Sequence, residues 1–345
     1  MTHMGFKLAA AVLWIVTVVS VSGCAQPKTL EAEPVLTWPA APSSPRIKYV
    51  RSFSAAQDLG ITPGFFRRLA EIFTGPDLTQ LVRPTAVVAI SDTEVYVADP
   101  GVKGVHRFDL RHGRHAVIRR AEGQPLPSPV GLALGLRGEI FVTDSLLQGV
   151  FRIVPGADGA QPFTLHTDLS QPTGIAVARD EGLLYVVDTS AHDVKIFDES
   201  GALVGRFGGR GMADGEFNFP TMIWRKANGG LFVTDSLNFR VQQFDGTGKF
   251  QNKFGRPGDG TGDLSRPKGI ATDRLGHIYV VDALFHAVQI FNPTGTFLLA
   301  VGGHGREAGE FWLPTGIFVS GDDKIYVADS YNQRVQIFQY IGGGE

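Results

Sequence analysis

One motif recurs six times in this chain and limits the folds that are open to it. An aspartate that ends a short apolar run returns every 44 to 47 residues, with a proline 15 or 16 residues before it and a valine six residues after it. Three landmarks that keep their register through six copies indicate an array of structural repeats. The six aspartates are Asp99, Asp144, Asp188, Asp235, Asp282 and Asp329.

The third copy, residues 172–209, shows what one repeat contains. Turns rich in Gly, Asp and Ser separate four short runs, PTGIAVA, LLYVVD, VKIFD and ALVGRFGG, which predicts four β-strands. The first two runs are apolar at consecutive positions, so both of their faces must be buried. Six four-stranded antiparallel sheets that are covered on both faces predict an all-β fold, a six-bladed β-propeller.

The two ends of the chain predict how the ring closes. The sixth copy ends at Tyr340 after three strands, and residues 46–53, RIKYVRSF, resemble an outer strand that belongs to no copy. We expect this N-terminal strand to complete the last blade of a propeller that spans residues 46–345, because closure removes an open sheet edge. Residues 64–73, GFFRRLAEIF, have helical spacing of apolar residues and predict a short amphipathic helix.

The N-terminus resembles a bacterial lipoprotein signal peptide over residues 1–23. Lys7 precedes an apolar run of 14 residues, which is short of a membrane span, and residues 21–24, VSGC, resemble a lipobox. The resemblance implies that cleavage leaves a lipid-modified Cys24 as the membrane anchor. The five prolines of residues 24–45 predict an extended linker.

The resemblance also implies an address in the bacterial cell envelope. Ala25 follows Cys24, where lipoproteins retained at the inner membrane commonly carry Asp, so the outer membrane is favoured. Cys24 is the single cysteine of the chain, so an exported form must be stabilised by its core without disulfides. The chain beyond residue 23 has 31 Lys and Arg against 34 Asp and Glu. That balance offers no positive excess for phosphates and excludes nucleic acid as an expected partner.

Two turn segments resemble the NHL repeat, DSLNFRVQQF (residues 235–244) and DSYNQRVQIF (residues 329–338). PTGIAVA, PTGIFVS, GEFNFP and GEFWLP fit the same family. The first two copies depart from the motif, since Asp99 is followed by PGVKG and Asp144 by SLLQG, without its Asn or Arg. The resemblance covers residues 46–340 and implies a propeller from a family of binding platforms that includes a few enzymes.

Strand directions predict that the prolines, the aspartates and the turns after them share one face, at the mouth of the central channel. We expect the aspartates to be structural and to accept N–H groups of the turns that they begin. Arg240 and Arg334 are expected to bridge neighbouring turns. The candidate binding residues lie on that face and are charged, aromatic or variable between copies. They are Lys103, Arg210, Phe239, Phe285, Arg306, Tyr331 and Gln333.

Two histidines, His192 and His286, hold the fourth position after the aspartate in the third and fifth copies. VDALFHAVQIF resembles the turn that supplies a zinc-binding histidine in the peptidyl-hydroxyglycine amidating lyases. Those enzymes take further histidines from the position after the proline, where this chain has Thr, Val or Lys. A catalytic zinc usually needs three protein ligands. His192 and His286 are therefore weak metal candidates, and no cofactor is expected; C-x-x-C-H, the haem attachment motif, is absent from the sequence.

Three functions stay open at this stage. The first is a lipid-anchored, extracytoplasmic platform that binds a protein or a glycan. The second is an enzyme of the lyase or lactonase type with a metal in the channel mouth, and the third is a structural accessory of an envelope complex. An enzyme should gather titratable side chains in the channel mouth, whereas a binding platform should show an exposed aromatic or apolar patch there.

Overall fold

The computed structural model describes residues 35–61 and 80–342. The predicted signal peptide, Cys24 and the predicted helix at residues 64–73 lie outside the described residues. All described residues belong to one compact unit that begins at Val35. Within these ranges the structure has no helix that is both long and apolar enough to cross a membrane.

The described strands run in chain order from the N-terminal pair through six blades. The first are β1 (Thr37–Trp38) and β2 (Ile47–Phe53), followed by a 3₁₀ turn at Ala56–Leu59. Blade 1 consists of β3 (Ala86–Ser91), β4 (Glu94–Asp99), β5 (Gly104–Asp109) and β6 (Arg114–Ile118), and a small hairpin follows, β7 (Arg120–Ala121) and β8 (Gln124–Pro125). Blade 2 consists of β9 (Pro129–Leu134), β10 (Ile140–Asp144), β11 (Gly149–Ile153) and β12 (Gln161–Phe163). Blade 3 consists of β13 (Pro172–Ala178), β14 (Leu183–Asp188), β15 (Asp193–Phe197) and β16 (Leu203–Gly208).

The remaining blades follow the same order. Blade 4 consists of β17 (Pro220–Arg225), β18 (Leu231–Asp235), β19 (Arg240–Phe244) and β20 (Phe250–Phe254), with a 3₁₀ turn at Ser236–Asn238. Blade 5 consists of β21 (Pro267–Thr272), β22 (Ile278–Asp282), β23 (Ala287–Phe291) and β24 (Phe297–Gly302). Blade 6 contains β25 (Ile317–Val319), β26 (Lys324–Asp329) and β27 (Arg334–Tyr340), with a 3₁₀ turn at Ser330–Asn332.

The predicted six-bladed propeller and its closure are confirmed. The first strand of each blade contacts the first strand of the next, and β25 of blade 6 returns to β3 of blade 1. The outer strand of blade 6 is β2, which pairs with β27 from Ile47 opposite Tyr340 to Phe53 opposite Val335. The N-terminal strand therefore closes the ring, and no blade is left with three strands.

The closing sheet is wider than the sequence indicated. Strand β1 pairs with β2, so the sheet of blade 6 has five strands in the order β1-β2-β27-β26-β25. The ring of Trp38 packs edge-on against Phe338 at 5.7 Å between centroids. Part of the predicted linker at residues 24–45 therefore belongs to the folded unit, because an aromatic side chain within it finds a place in the core of the last blade.

Burial explains the apolar runs in the central strands. Strand β22 of blade 5 is buried at every position, whereas exposed residues recur along the outer strand β24. Neighbouring blades cover the inner strands on both faces, and the outer strand has one face toward solvent. Aromatic rings fill the space between blades 3 and 4, where Phe244 lies 4.8 Å from Phe207 and 5.6 Å from Phe217 between centroids.

The strand directions define two faces of the ring. The proline face, as we call it, carries the six prolines, the six aspartates, the turns between second and third strands and the loops from one blade to the next. The far face carries the turns between first and second strands and between third and fourth strands.

Candidate functional site

Each of the six repeated aspartates is buried, with no exposed surface, and each accepts a backbone N–H from the residues just before the proline of its blade. In blade 1, Asp99 accepts the N–H groups of Val82 at 2.7 Å and Arg83 at 2.9 Å. It also accepts the N–H of Gly101, in the turn that it begins, at 2.8 Å. The carboxylate thus fastens the entry of the first strand to the turn that follows the second strand.

The partners in the turn differ among blades. In blades 2 and 5, as in blade 1, the aspartate accepts N–H groups of the turn, as expected. In blade 4, Asp235 instead accepts side-chain donors, Asn238 Nδ2 at 2.8 Å, Arg240 Nε at 2.8 Å and Gln242 Nε2 at 3.1 Å. Blade 6 repeats this arrangement around Asp329. In blade 3, the buried Lys195 donates Nζ to Asp188 at 2.7 Å. Blades 3, 4 and 6 therefore have buried side-chain donors where blades 1, 2 and 5 have backbone N–H groups of the turn.

The arginines of these networks link neighbouring blades. Arg240 donates to the carbonyls of Met212, Ala213 and Glu216, in the loop that enters blade 4. Arg334 makes the same three contacts with residues 306–310, in the loop that enters blade 6. Each guanidinium therefore holds an interblade loop against a turn, which is the bridging that the repeat pattern predicted.

The fourth residue after each aspartate has a left-handed backbone. Its φ lies between 53° and 58° in all six blades, a region that residues other than glycine rarely occupy. Because every blade shows the same angle, the turn geometry of the repeat sets it, and it does not single out one blade as a ligand site. These residues are Lys103, Gln148, His192, Phe239, His286 and Gln333.

The two histidines at this position contact the next blade. Nδ1 of His192 accepts the N–H of Phe219 at 3.2 Å, and Nδ1 of His286 accepts the N–H of Leu313 at 3.1 Å. Phe219 and Leu313 each directly precede the proline that begins the next blade and have positive φ. Each histidine therefore uses Nδ1 to accept a hydrogen bond from the next blade. Among the described residues, no three His, Cys, Asp or Glu side chains come together as a candidate metal site.

Blades 5 and 6 share a group of side chains on the proline face that we call the aromatic patch: His304, Arg306, Trp312 and Tyr331. Trp312 and Tyr331 lie 5.8 Å apart between ring centroids, and the Arg306 guanidinium lies 5.1 Å from the centre of the Trp312 ring. Tyr331 is 53 % exposed. His304 packs edge-on against Trp312 and against His286. Burial and the neighbouring His304 hold the pKa of His286 below its ordinary value.

Only Arg306 and Tyr331 of the seven candidate binding residues fall in this patch. Gln333, Lys103 and Arg210 are exposed elsewhere on the proline face, and Phe239 and Phe285 are half-buried. Trp312 was missed by reasoning from the sequence. The available signal was the difference between GEFNFP and GEFWLP, where the loop into blade 6 has Trp in the place of Asn.

Large apolar side chains are exposed around the rest of the proline face. They belong to the turns after the aspartates, to an interblade loop and to positions just before prolines. Among the described residues they are Val82, Leu146, Leu147, Met212, Phe219 and Leu284.

A cavity in the central channel lies toward the far face. Its volume is about 400 Å³, and it is lined by the first strands and reaches Arg179 and Lys226 in turns of the far face. None of the seven candidate binding residues lines it. Their position at a mouth of the central channel therefore stays a prediction.

Glycines let neighbouring first strands approach closely near the proline face. The second residue after the proline is glycine in four blades, and a Cβ atom at any of them would collide with the backbone of the next blade. Neighbouring first strands therefore touch at this end. Threonines link neighbouring blades further: Thr143 Oγ1, in the second strand of blade 2, donates to the Thr173 carbonyl at 2.6 Å, and Thr173 Oγ1 donates to the Thr221 carbonyl at 3.0 Å. The four glycines are Gly131, Gly174, Gly269 and Gly316.

The fold and the repeated turns define a six-bladed β-propeller that carries NHL repeats. Residues 169–197 and 311–338 match the model of the NHL repeat. These two segments contain the aspartate, the turn and the third strand of blades 3 and 6. A comparison with curated protein sequences finds no significant match.

Solved structures share the fold at low sequence identity. A virginiamycin B lyase from Staphylococcus aureus is 16 % identical with a TM-score of 0.55, over 75 % of this chain and 96 % of the other. A protein of unknown function from Bacteroides thetaiotaomicron VPI-5482 is 12 % identical with a TM-score of 0.60, over 84 % of this chain and 75 % of the other. A chain from a nidogen/laminin complex is 20 % identical with a TM-score of 0.53, over 71 % of this chain and 84 % of the other. At these identities the likeness concerns the fold alone.

Proposed function

We propose that this propeller is a binding platform whose proline face docks a partner protein at the aromatic patch. The observation that carries the proposal is the patch itself, in which the exposed ring of Tyr331 packs on Trp312 and Arg306 covers the same indole. Tyr, Trp and Arg are the residue types that most often dominate binding energy at protein interfaces. The rigid ring holds the loops of several blades in one surface, which suits recognition.

The surroundings of the patch favour a protein over a glycan. Exposed Leu, Met and Phe side chains continue around the proline face, and they offer apolar area with no hydrogen-bonding group for a sugar. Met and aromatic residues are enriched at protein interfaces. The chain from the nidogen/laminin complex provides an example of this fold in an assembly of proteins.

The proposal can be tested by site-specific photocrosslinking in the full-length protein. A photoreactive amino acid is placed at Tyr331 or, as the control, at Leu136, which is 61 % exposed on the far face. We expect a defined protein adduct from position 331 in native membranes and none from position 136. The adduct should disappear with Trp312→Ala. Equal adducts from both positions, or a product that carries glycan and no polypeptide, would contradict protein docking at the patch.

We further propose that a lipid on Cys24 anchors this platform in the bacterial cell envelope, at the outer membrane in preference to the inner. The support is the VSGC sequence after a short apolar run, together with Ala25. Labelling with radioactive fatty acid should be lost on Cys24→Ala. Acylation that persists in this variant would show that the lipobox interpretation is wrong.

Zinc analysis separates this proposal from the lyase alternative. A binding platform predicts no stoichiometric zinc in the purified protein. One equivalent of zinc, lost on His286→Ala, would instead favour an enzyme with a metal near the proline face.

A further inference from the structure

The cavity in the central channel is a second concave site, separate from the aromatic patch. All six blades contribute first-strand residues to its walls, which are largely apolar. The larger wall side chains are those of Met222, Trp224, Ile270 and Phe318. Its volume of about 400 Å³ lies within the range of about 300–1,000 Å³ that is usual for small-molecule sites. Because the first strands touch at the proline end, a ligand would enter from the far face.

Charged side chains surround the entrance. Arg179, Asp180, Arg225 and Lys226 all line the cavity where the first strands turn at the far face. Arg225 forms ion pairs with the two nearby carboxylates: its Nη1 lies 2.9 Å from Asp180 and its Nη2 lies 2.5 Å from Glu181. Its Nε is buried and has no hydrogen-bond partner. The carboxylates of Asp180 and Glu181 are therefore paired with Arg225, while the Nε–H of Arg225 has no acceptor.

Among the described residues, neither of the other two cations, Lys226 and Arg179, forms an ion pair with a carboxylate. Within the described part of the chain, no carboxylate lies within ion-pair distance of Lys226, and its Nζ lies 5.0 Å from the centre of the Phe232 ring. Burial lowers the pKa of Lys226. Arg179 donates Nε–H to the carbonyl of Leu134 at 3.1 Å; desolvation lowers its pKa, and the nearby Glu139 carboxylate partly opposes that shift. Lys226 is half-buried with no carboxylate within ion-pair distance among the described residues, so its charge is electrostatically unsatisfied and an anion beside it would be favoured.

We propose that this cavity binds a small amphipathic organic anion, with its acidic group beside Lys226 and Arg179 and its apolar part against Trp224 and Phe318. The apolar walls select a ring or a chain over a free inorganic anion. The charge at the entrance selects an acid over a neutral compound of the same shape. This site lies on the opposite face from the aromatic patch, so the result of either experiment does not decide the other.

Calorimetric titration of the full chain in lipid nanodiscs tests the charge requirement. The probe is naphthalene-2-sulfonate, which has an apolar ring system and a permanent negative charge, and the neutral control is naphthalene-2-sulfonamide. We expect saturable binding of the sulfonate with one site per chain, and binding of the sulfonamide that is weaker by at least about tenfold, because a charge-assisted contact is lost. Equal affinity for both probes, or no binding of the sulfonate, would overturn the proposal.

Variants of blade 4 locate the site. Lys226→Met should weaken sulfonate binding by about tenfold, and Lys226→Arg should retain it. Lys249→Met is the matched control, since Lys249 is an exposed lysine of the same blade on the same face, in the turn between third and fourth strands. Unchanged binding in Lys226→Met, with melting temperatures that match the unsubstituted protein, would place any sulfonate elsewhere and refute the assignment.

Discussion

Asp235 and Asp144 occupy equivalent positions in blades 4 and 2, but their carboxylates hold different partners. Asp144 accepts backbone N–H groups alone, whereas Asp235 also faces the buried guanidinium of Arg240. Asp235→Ala would leave that cation without its partner, and removing one member of a buried ion pair costs about 3–5 kcal/mol. Asp144→Ala should cost less, about 1–3 kcal/mol, because only neutral N–H donors lose an acceptor. Urea unfolding of the two variants measures both free energies.

A larger loss for Asp144→Ala than for Asp235→Ala would contradict this ranking. A loss of partner binding by Asp235→Ala at unchanged stability would show that the aspartate has a role in recognition. The sequence alone predicts a structural aspartate in every blade. It does not predict the different costs, because those depend on which donors each turn brings to the carboxylate.

His286 should make the stability of the protein depend on pH. Burial and His304 lower its pKa in the folded state, so the unfolded chain binds the proton more readily. Stability should therefore fall as the pH drops below about 6.5, the ordinary pKa of histidine. His286→Gln should remove this part of the acid-induced loss and match the unsubstituted protein above neutral pH. Thermal melting between pH 5 and pH 8 measures it, and an unchanged pH dependence in the variant would contradict it.

Glutamine is a suitable replacement because the chain already uses it at this position. Gln148 of blade 2 has the same left-handed backbone and donates Nε2 to the carbonyl of Ser170, just before the proline of blade 3. A glutamine side chain therefore reaches the next blade from this turn, as the histidine does. His286→Gln therefore removes the titrating imidazole and keeps a side chain that can hydrogen-bond to the next blade.

At the scale of elements, the contact between neighbouring first strands depends on glycine. A Cβ atom on Gly174 would lie 2.6 Å from Met222 Cα and 2.8 Å from the Thr221 carbonyl oxygen. Both are backbone atoms of the next blade, which cannot give way as a flexible side chain can. Gly174→Ala should therefore destabilise the protein by about 1–3 kcal/mol, the usual cost of overpacking.

Gly303 provides the matched control for this junction. A Cβ atom there would meet no atom within 4 Å, so Gly303→Ala should change stability by less than about 1 kcal/mol. Denaturant titration compares the two variants. Equal stabilities would mean that the first strands can separate at no cost, and that the proline end of the channel is not closed as tightly as the structure indicates.

The same junction shows where the sequence stops being informative. Apolar runs and turn residues identify nearly every inner strand, because each run must be buried on both faces. Strand direction correctly assigns prolines and aspartates to one face. The position of the cavity does not follow from direction, because it depends on how closely backbones of different blades approach. The glycine two residues after the proline was the available signal of this close approach. The sequence alone does not show that it faces the backbone of the next blade.

At the scale of the whole molecule, the ring is closed by the N-terminal strand, which completes the last blade. The sequence predicts this closure from an incomplete last copy and an unassigned N-terminal strand, and that prediction is confirmed. The additional strand at Thr37–Trp38 was not predictable, because two residues in a proline-rich segment carry no periodicity. Its support comes from the contact of Trp38 with Phe338, which joins segments that lie at opposite ends of the folded chain.

Phe53 tests how much this closure contributes. It ends β2 in blade 6, is 1 % exposed, and packs edge-on against Phe108 of blade 1 at 5.2 Å between centroids. Its side chain therefore joins the last blade to the first. Phe53→Ala should cost about 3–5 kcal/mol, whereas Val50→Ala, in the same strand but 44 % exposed, should cost less than about 1 kcal/mol. Urea unfolding compares the two variants, and similar small losses in both would show that the ring is stable without its closing contact.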